Sequence, residues 1–290
     1  MNRKRVALVI VTYNRLIDLK KCLESLRNQT EKDFDIIVVN NGSTDSTQEY
    51  LSTCKEIRVI EQENCGGAGG FYAGMRYMFD NGYEWLWMMD DDGIPDRCQL
   101  ENLLIAGEKY KFLNSLVLDI STKNELAFPN KKLPSLKDCL TSDYWPFMHP
   151  FNGTFIHRSV IEKIGFIKKE MFIWGDEEEY TQRARKSGIE TRTYTKAIHY
   201  HPHEKGKSKC AIPYVRNHFQ VIDKPLPLCR YYYRNRGYIL HNYYCIKEEV
   251  KFLLYQTLYL LRTCKFMKLS YLYKFYFAGR RNDFNSLSDL

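Results

Sequence analysis

The sequence lacks the features that define several broad classes of protein. It has no apolar run of about 18–20 residues, so no ordinary transmembrane helix is expected. Its first residues carry no small-residue cleavage site, and we therefore expect no signal peptide. No Cys-x-x-Cys pair occurs among its 9 scattered cysteines, which indicates reduced thiols in a cytoplasmic protein.

A glycine-rich stretch, NCGGAGGF at residues 64–71, matches neither common nucleotide-binding motif. GxGxxG would need glycine at position 72, which is tyrosine, and the Walker motif would need Lys and Ser or Thr where Met75 and Arg76 stand. Glycines before a helix N-terminus still let the backbone approach an anionic ligand closely. Gly67 and Gly69 are therefore candidate cofactor-binding residues, and a flexible turn is the structural alternative.

The composition indicates a folded protein whose charge is unevenly distributed. Of the 290 residues, 44% are hydrophobic, which is enough for the core of one or two domains. The 43 basic and 35 acidic residues give a net charge of +8. This excess lies in the last part of the chain, which is basic and aromatic from about residue 224.

The first 125 residues or so alternate between strand and helix patterns. Continuous apolar, β-branched runs indicate strands covered on both faces, and leucines at helical spacing indicate a helix between the first two. The alternation predicts an α/β fold with a mostly parallel sheet, whose ligands lie beyond the carboxyl ends of the strands. Strands are predicted at 6–11, 34–39, 57–60 and 84–89, and helices at 16–26, from about 44, and at 69–79.

Three consecutive aspartates, Asp90, Asp91 and Asp92, follow the fourth predicted strand. Alternate residues of an extended segment point the same way, so Asp90 and Asp92 are expected to face one site. Two uncovered carboxylates repel each other, and a divalent cation such as Mg²⁺ or Mn²⁺ relieves this repulsion while substrate phosphates complete its shell. A solvated turn is the structural alternative, but the position after a buried strand favours a site.

A second acidic cluster, Asp176 to Glu179, opens a predicted helix. Acidic residues are common in a first helical turn, and Asp176 and Glu179 have the spacing of a capping box. Four acids exceed what a cap requires. If Asp176 is the cap, Glu177 is left to project into a cleft and accept a hydroxyl proton as a general base.

Three histidines at alternate positions, His199, His201 and His203, offer a candidate metal ligand. Neutral imidazole suits Mn²⁺-class ions as well as Zn²⁺, but no cysteine or second histidine pair at zinc spacing accompanies them. Because lone histidines are usually structural, we expect at most one ligand among the three.

Four segments in a fixed order resemble glycosyltransferase family 2: VALVIVTYNR, IIVVNNGSTDST, the aspartate triplet and WGDEEEYTQR, within about residues 5–205. NCGGAGGF and WGDEEEY are most similar to the galactofuranosyltransferase branch, and the rhamnosyltransferase-like branch is next. The resemblance implies a GT-A fold with a Rossmann-like sheet, and an inverting, metal-dependent hexosyltransferase of bacterial surface polysaccharide biosynthesis. Its donor would be UDP-galactofuranose or dTDP-rhamnose, and its cofactor Mn²⁺ or Mg²⁺.

The resemblance also implies roles for individual residues. Glu177 would be the catalytic base, with Asp176 as the alternative because Glu177 replaces a more usual aspartate. Many members have DDGS where this chain has NNGS at 40–43, which leaves uracil and thymine both open as the base. The metal ligands would be Asp90, Asp92 and His201, or His199 in an ungapped alignment, and the nucleotide-sugar would contact Thr12, Tyr13, Asn14, Asn41, Asp45, Asp90 and Asp91.

We expect a catalytic domain at 1–223, with a nucleotide-sugar-binding half at about 1–125 and an acceptor half at about 126–223. A basic, aromatic helical region follows at 224–290. Its apolar stripe suits either an anionic membrane surface or the core of a helical subdomain. A lipid-linked glycan acceptor would favour a cytoplasmic protein that is peripheral on the inner face of the cell membrane. The stripe consists of Val250, Leu253, Leu254, Leu258 and Leu261.

Two other functions fit parts of the sequence. A non-catalytic sugar-nucleotide-binding relative would be expected to lose Asp92 or the Asp176–Glu177 pair, and all three residues are present. Basic and aromatic residues together also occur in proteins that bind single-stranded nucleic acid. No RRM, KH or zinc-finger motif accompanies them, so we expect no nucleic-acid partner.

Overall fold

A computed structural model describes residues 5–128, 135–148, 150–203, 208–212 and 220–285. The strands are β1 (Val6–Thr12), β2 (Phe34–Asn40), β3 (Ile57–Glu61), β4 (Trp85–Asp90), β5 (Ile94–Pro95), β6 (Phe112–Asp119), β7 (Tyr144–Trp145), β8 (Thr154–His157), β9 (Thr191–His201), β10 (Ser208–Cys210) and β11 (Gln220–Ile222). The helices are α1 (Leu16–Arg27), α2 (Thr47–Thr53), α3 (Gly66–Asp80), α4 (Gln99–Gly107), α5 (Leu136–Cys139), α6 (Arg158–Ile164), α7 (Asp176–Lys186), α8 (Cys229–Tyr243), α9 (Ile246–Arg262) and α10 (Phe266–Arg280).

The chain divides into two compact units, residues 1–169 with 183–204, and residues 170–182 with 205–290. The functional division predicted at residues 125 and 223 concerns roles in catalysis and stays a prediction. No helix in the described part of the chain is both long enough and apolar enough to span a membrane.

The first unit is built on a nine-stranded sheet in the order β3-β2-β1-β4-β8-β6-β9-β5, with β7 paired to β9. β1, β2, β3 and β4 are parallel, as their buried apolar runs and the helices between them predict. β8 is antiparallel to both of its neighbours, β4 and β6, and β9 is parallel to β6. The carboxyl ends of β1, β2, β4 and β9 therefore lie along one edge of the sheet.

Helix α3 packs on β1 through glycines. A Cβ atom on Gly70 would lie 2.4 Å from Val11 Cγ1, and one on Gly74 would lie 2.2 Å from Val9 Cγ1. α3 begins at Gly66, three residues earlier than predicted, so the glycine-rich stretch is helical and the alternative of a flexible turn is wrong. Part of the glycine content thus serves close packing of helix on strand.

The second unit contains the antiparallel pair β10–β11 and the helices α8, α9 and α10. Its core includes the buried side chains of Tyr233, Leu260, Leu272 and Phe275. The helical character predicted for the basic, aromatic C-terminal region is confirmed over 229–280.

Helices α8 and α10 come into backbone contact. A Cβ on Gly279 would lie 1.8 Å from the carbonyl oxygen of Arg234, and one on Gly237 would lie 2.0 Å from that of Tyr276. Side chains larger than hydrogen do not fit at either glycine unless the helices move apart.

Candidate active site

Two carboxylates and an imidazole meet at the carboxyl edge of the sheet. Asp90 ends β4, Asp92 follows two residues later, and His201 ends β9. Each offers a ligand atom, and these atoms lie within 4.8 Å of one another. Sequence patterns placed Asp90 and Asp92 together. His201 joins them because β5, which directly follows the triplet, pairs antiparallel with the end of β9, with Ile94 opposite Tyr200.

His201 is oriented for coordination through Nε2. Its Nδ1 donates a hydrogen bond to the carbonyl oxygen of Pro202 at 2.8 Å, and its Nε2 lies 3.1 Å from Asp92 Oδ1. A hydrogen bond from one ring nitrogen to a carbonyl is how proteins usually fix a metal-binding histidine. Two carboxylates and one imidazole form a donor set that suits Mn²⁺, and also Mg²⁺ where phosphate oxygens are added. The residues present therefore fit a divalent cation.

The pKa values of the neighbouring residues Asp91 and Asp92 are shifted in opposite directions. Burial tends to raise the pKa of Asp92, but its hydrogen bond to His201 and the charges of His201 and Arg15 lower it to about 2. Burial tends to lower the pKa of His201, yet the hydrogen bond and charge of Asp92 raise it above its ordinary value. Each group thus favours the charged form of the other, and a divalent cation would take the place of the proton between them.

Asp91, the middle aspartate of the triplet, is buried and does not belong to the group of Asp90, Asp92 and His201. Thr12 Oγ1 donates a hydrogen bond to Asp91 Oδ2 at 2.7 Å. Burial raises the pKa of Asp91 to about 7, and the hydrogen bond from Thr12 offsets part of the shift. This contact joins the carboxyl ends of β1 and β4. Thr12 and Asp91, both predicted to contact the nucleotide-sugar, therefore also have a structural role.

Arg15 is a candidate site residue that the sequence reasoning missed. Its guanidinium forms an ion pair with Asp92 and lies 3.6 Å from Asp91 Oδ1, while half of the side chain is exposed. The segment TYNR contained the signal, because an arginine directly after a polar strand end is well placed to meet an anion. In this structure Arg15 thus pairs with Asp92, one of the two carboxylates predicted to bind the cation.

Asn152 holds Asp90 in place. Its Nδ2 donates to Asp90 Oδ2 at 3.0 Å, and its Oδ1 accepts from the Asp90 backbone N–H at 3.3 Å. Asn152 is buried and precedes β8, the antiparallel neighbour of β4. These two hydrogen bonds fix the carboxylate of Asp90. The periodicity of the sequence does not predict the contact between Asn152 and Asp90.

The polar residues after β1 and β2 form a connected network. Asn14 Oδ1 accepts from the backbone N–H of Thr44 at 2.6 Å and from that of Asp45 at 3.3 Å. Asp45 Oδ1 accepts from the backbone N–H of Thr47. The side chain of Thr47 does most to lower the pKa of Asp45, and this backbone bond lowers it further. Tyr13 is 45% exposed, so its ring is available to a ligand.

Asn41 is buried and its amide is already in use. Nδ2 donates to Asn64 Oδ1 and to the Gly66 carbonyl, while Oδ1 accepts from Gln62 Nε2 and from the Cys65 N–H. The amide of an asparagine side chain makes about four hydrogen bonds, so Asn41 has no donor or acceptor site left for a ligand. A contact between Asn41 and the nucleobase would have to replace one of them, and its role in binding stays a prediction.

The two candidate glycines differ in their surroundings. A Cβ on Gly67 would meet nothing within 4 Å, whereas one on Gly69 would lie 2.4 Å from Cys65 Cβ. Gly67 thus lies next to open space, and Gly69 is required by the first turn of α3.

His199, the alternative metal ligand, lies outside the group formed by Asp90, Asp92 and His201. It is fully buried, and its Nδ1 lies 3.2 Å from Gln99 Oε1. The structure therefore favours His201 over His199 as the candidate ligand.

The acidic helix α7 begins in the second unit, and its four acids have different partners there. Glu178 accepts from Arg236 at 2.6 Å and from the Tyr244 hydroxyl at 2.8 Å. Glu179 accepts from the Tyr243 hydroxyl at 2.8 Å. Asp176 is buried, and Glu177 is half-buried. In the part of the chain that the structure describes, no hydrogen bond or ion pair is made by the side chain of Glu177.

Helix α8 also holds the loop before the acidic helix. The Asn235 amide donates to the carbonyls of Met171 at 2.9 Å, Ile173 at 3.1 Å and Trp174 at 2.9 Å. The loop is strained, because Phe172 and Trp174 both have φ of 64°. Non-glycine residues in this region persist only where surrounding contacts fix them, and Asn235 supplies those contacts.

Residues 7–165 match the model of glycosyl transferase family 2. The chain belongs to this family. Over 248 residues it is 34% identical to the galactofuranosyltransferase GlfT1 of Mycobacterium tuberculosis, across 80% of this chain and 81% of that protein. The predictions of family and of glycosyltransferase activity are confirmed.

Solved structures of the same fold include S. aureus TarS. The chain matches residues 1–349 of TarS in complex with UDP-GlcNAc with a TM-score of 0.57 at 12% identity, across 96% of this chain and 92% of that one. Against a longer TarS structure the TM-score is 0.55 at 12% identity, and the match covers 88% of this chain but 43% of that one. This likeness confirms the predicted GT-A type of fold.

Proposed function

We propose that this family 2 glycosyltransferase transfers galactofuranose from UDP-galactofuranose to a glycan acceptor in bacterial surface polysaccharide biosynthesis. The supporting observation is the 34% identity to a galactofuranosyltransferase along 80% of the chain, which extends past the residues matched by the family model. The same stretch carries the NCGGAGGF and WGDEEEY segments.

We assign the donor diphosphate to the carboxyl edge of the sheet. Asp90, Asp92 and His201 would hold Mn²⁺ or Mg²⁺ there, which when bound supplies a Lewis acid that neutralises the leaving diphosphate. Thr12, Tyr13, Asn14, Asn41, Asp45, Gly67, Gly69 and Asp91 would surround the nucleotide. Arg15, freed from Asp92, would turn to a phosphate oxygen, since guanidinium pairs readily with phosphate.

We assign proton transfer to Glu177. The acceptor hydroxyl loses its proton to this carboxylate as its oxygen bonds to the anomeric carbon. The bond from that carbon to the diphosphate breaks at the same step, and UDP leaves with the product configuration inverted. Of the four acids, Glu178 and Glu179 are engaged by helix α8 and Asp176 is buried, which favours Glu177 over the alternative Asp176.

The acceptor is proposed to be a lipid-linked glycan at the inner face of the cell membrane. A cytoplasmic enzyme that is peripheral on the membrane would meet both this acceptor and a water-soluble donor. This placement would require a surface that binds lipid.

A donor screen tests the proposal. The purified chain is given UDP-galactofuranose, dTDP-rhamnose or UDP-hexoses with Mn²⁺ and a lipid-linked acceptor, and product is followed by mass spectrometry. We expect transfer from UDP-galactofuranose. Transfer from dTDP-rhamnose instead would overturn the donor, and donor binding without transfer from any of them would indicate a non-catalytic relative.

A further inference from the structure

Exposed apolar side chains are concentrated on two C-terminal helices. Of the fifteen large hydrophobic side chains that are exposed in the described residues, nine lie between Tyr244 and Phe277. On each helix most of these exposed residues are four or seven positions apart, which places them on one face, so each helix has one apolar stripe. The α9 stripe is Ile246, Val250, Leu254 and Leu261, and the α10 stripe is Phe266, Tyr273 and Phe277.

The inner faces of both helices are already packed. Tyr259 and Leu260 of α9 are buried in the core of the second unit, as are Leu272 and Phe275 of α10. Of the stripe predicted from the sequence, Leu253 packs against this core, while Val250, Leu254 and Leu261 face outward. The outer residues are therefore not required for the core, and the predicted stripe serves two surfaces rather than one.

The two stripes form one surface. Thr257, at helical spacing between Leu254 and Leu261, has its hydroxyl 2.8 Å from the hydroxyl of Tyr273, which lies between Phe266 and Phe277. This hydrogen bond joins the stripes side by side across the α9–α10 pair. We call the seven apolar residues of the two stripes the hairpin surface.

The charges around the hairpin surface are predominantly positive. Lys247, Lys251, Arg262 and Lys274 lie on the same two helices. The two acids there are compensated, because Glu249 is buried against Tyr276 and Arg280, and Glu248 lies 3.8 Å from Lys251. A second copy of the chain would bring like charges together, whereas an anionic lipid headgroup would complement them.

We propose that the hairpin surface docks this protein on an anionic membrane, with its apolar residues among the acyl chains and its lysines at the headgroups. Helices with an apolar stripe beside basic residues bind membrane interfaces in this way. Four of the seven residues are aliphatic and offer no platform on which bases stack, so nucleic acid fits this surface less well than lipid does. The inference builds on the proposed membrane-linked acceptor but is tested without donor or acceptor, so the two can fail separately.

Sedimentation with vesicles is the test. The full chain is mixed with vesicles of phosphatidylcholine, with or without an equal amount of phosphatidylglycerol. We expect binding that requires phosphatidylglycerol and weakens with salt. No binding to either vesicle, or equal binding to both, would overturn the proposal.

Two double variants locate the surface. Leu254→Glu with Phe277→Glu, and Lys247→Glu with Lys274→Glu, should each weaken binding by more than about tenfold. Ile105→Glu is the matched control, because Ile105 is 56% exposed on α4, in the other unit, and should change nothing. Circular dichroism checks that all variants fold.

Unchanged binding in both folded double variants would contradict the proposal. So would light scattering that shows a dimer of the wild type dissociated by Leu254→Glu with Phe277→Glu, since the surface would then join two copies.

Discussion

His201 Nε2 lies 3.1 Å from Asp92 Oδ1. His201 ends β9 and Asp92 follows β4, and two other strands lie between β4 and β9 in the sheet. Each shifts the pKa of the other, downward for Asp92 and upward for His201. Both side chains bind a metal ion in their deprotonated forms. A bound cation would therefore replace the proton through which His201 and Asp92 now stabilise each other.

Arg15→Ala should strengthen cation binding. The guanidinium pairs with Asp92 and so competes with a cation for the same carboxylate. Removal of one unit charge at this half-exposed position should raise the affinity for Mn²⁺ about fivefold. Titration of Mn²⁺ followed by electron paramagnetic resonance measures this.

Arg27→Ala is the control for Arg15, because Arg27 pairs with Glu24 on the same helix, away from the aspartates. Weaker Mn²⁺ binding in Arg15→Ala would show that the arginine supports the cation site rather than competing with the cation.

Asn235→Ala should slow the chemical step while donor binding stays as it is. The amide fixes the strained loop that leads to Glu177, and a misplacement of about 1 Å can cost about 100-fold in rate. We expect kcat to fall by that order and the donor KM to change little. Steady-state kinetics separate the two parameters.

Asn242→Ala on the same helix serves as control, since its side chain donates to the Tyr238 carbonyl. A parallel rise in donor KM, or an unchanged kcat in a folded Asn235→Ala, would remove Asn235 from this positioning role.

Asp223 should make the second unit sensitive to acid. Burial tends to raise the pKa of Asp223, but hydrogen bonds from two lysines and a tyrosine hydroxyl lower it below its usual value. The free energy that this group adds to folding is complete above the unfolded pKa of about 3.9 and is lost as the pH falls through the lower folded value.

Asp223→Asn should therefore lower the free energy of unfolding by about 3 kcal/mol at pH 7, because Lys268 is buried beside it. The difference from wild type should shrink below pH 4. Urea unfolding at several pH values checks this, and a difference that persists unchanged in acid would contradict the assignment.

Much of the sheet could be predicted from the sequence because its strands are buried on both faces. A continuous apolar run such as Val6–Val11 is enough to predict a buried strand. The carboxyl ends of parallel strands must then lie at the same edge of the sheet. The interpretation of the aspartate triplet followed from its position and residue type, whereas the preference for His201 came from the family resemblance. The family resemblance supplied the roles.

Other site features depend on contacts that no local pattern encodes. Asn152 reaches Asp90 because β8 is inserted antiparallel beside β4, and Asn235 reaches Trp174 from a helix far along the chain. Gly70, in the glycine-rich stretch, and Gly74 after it serve packing on β1. In each case the partner is determined by strand order or by helix packing, which periodicity leaves open.

The most direct test of the account compares Asp92→Asn with Glu177→Gln, by calorimetric titration of UDP in the presence of Mn²⁺ and by transfer rate. Glu178→Gln is the control, because Arg236 and Tyr244 bind that carboxylate and we assign it no part in proton transfer. The account predicts that Asp92→Asn loses Mn²⁺-dependent UDP binding. It predicts that Glu177→Gln keeps this binding while its transfer rate falls by about 100-fold or more. Transfer by Glu177→Gln at the wild-type rate, or UDP binding by Asp92→Asn that still responds to Mn²⁺ as the wild type does, would contradict it.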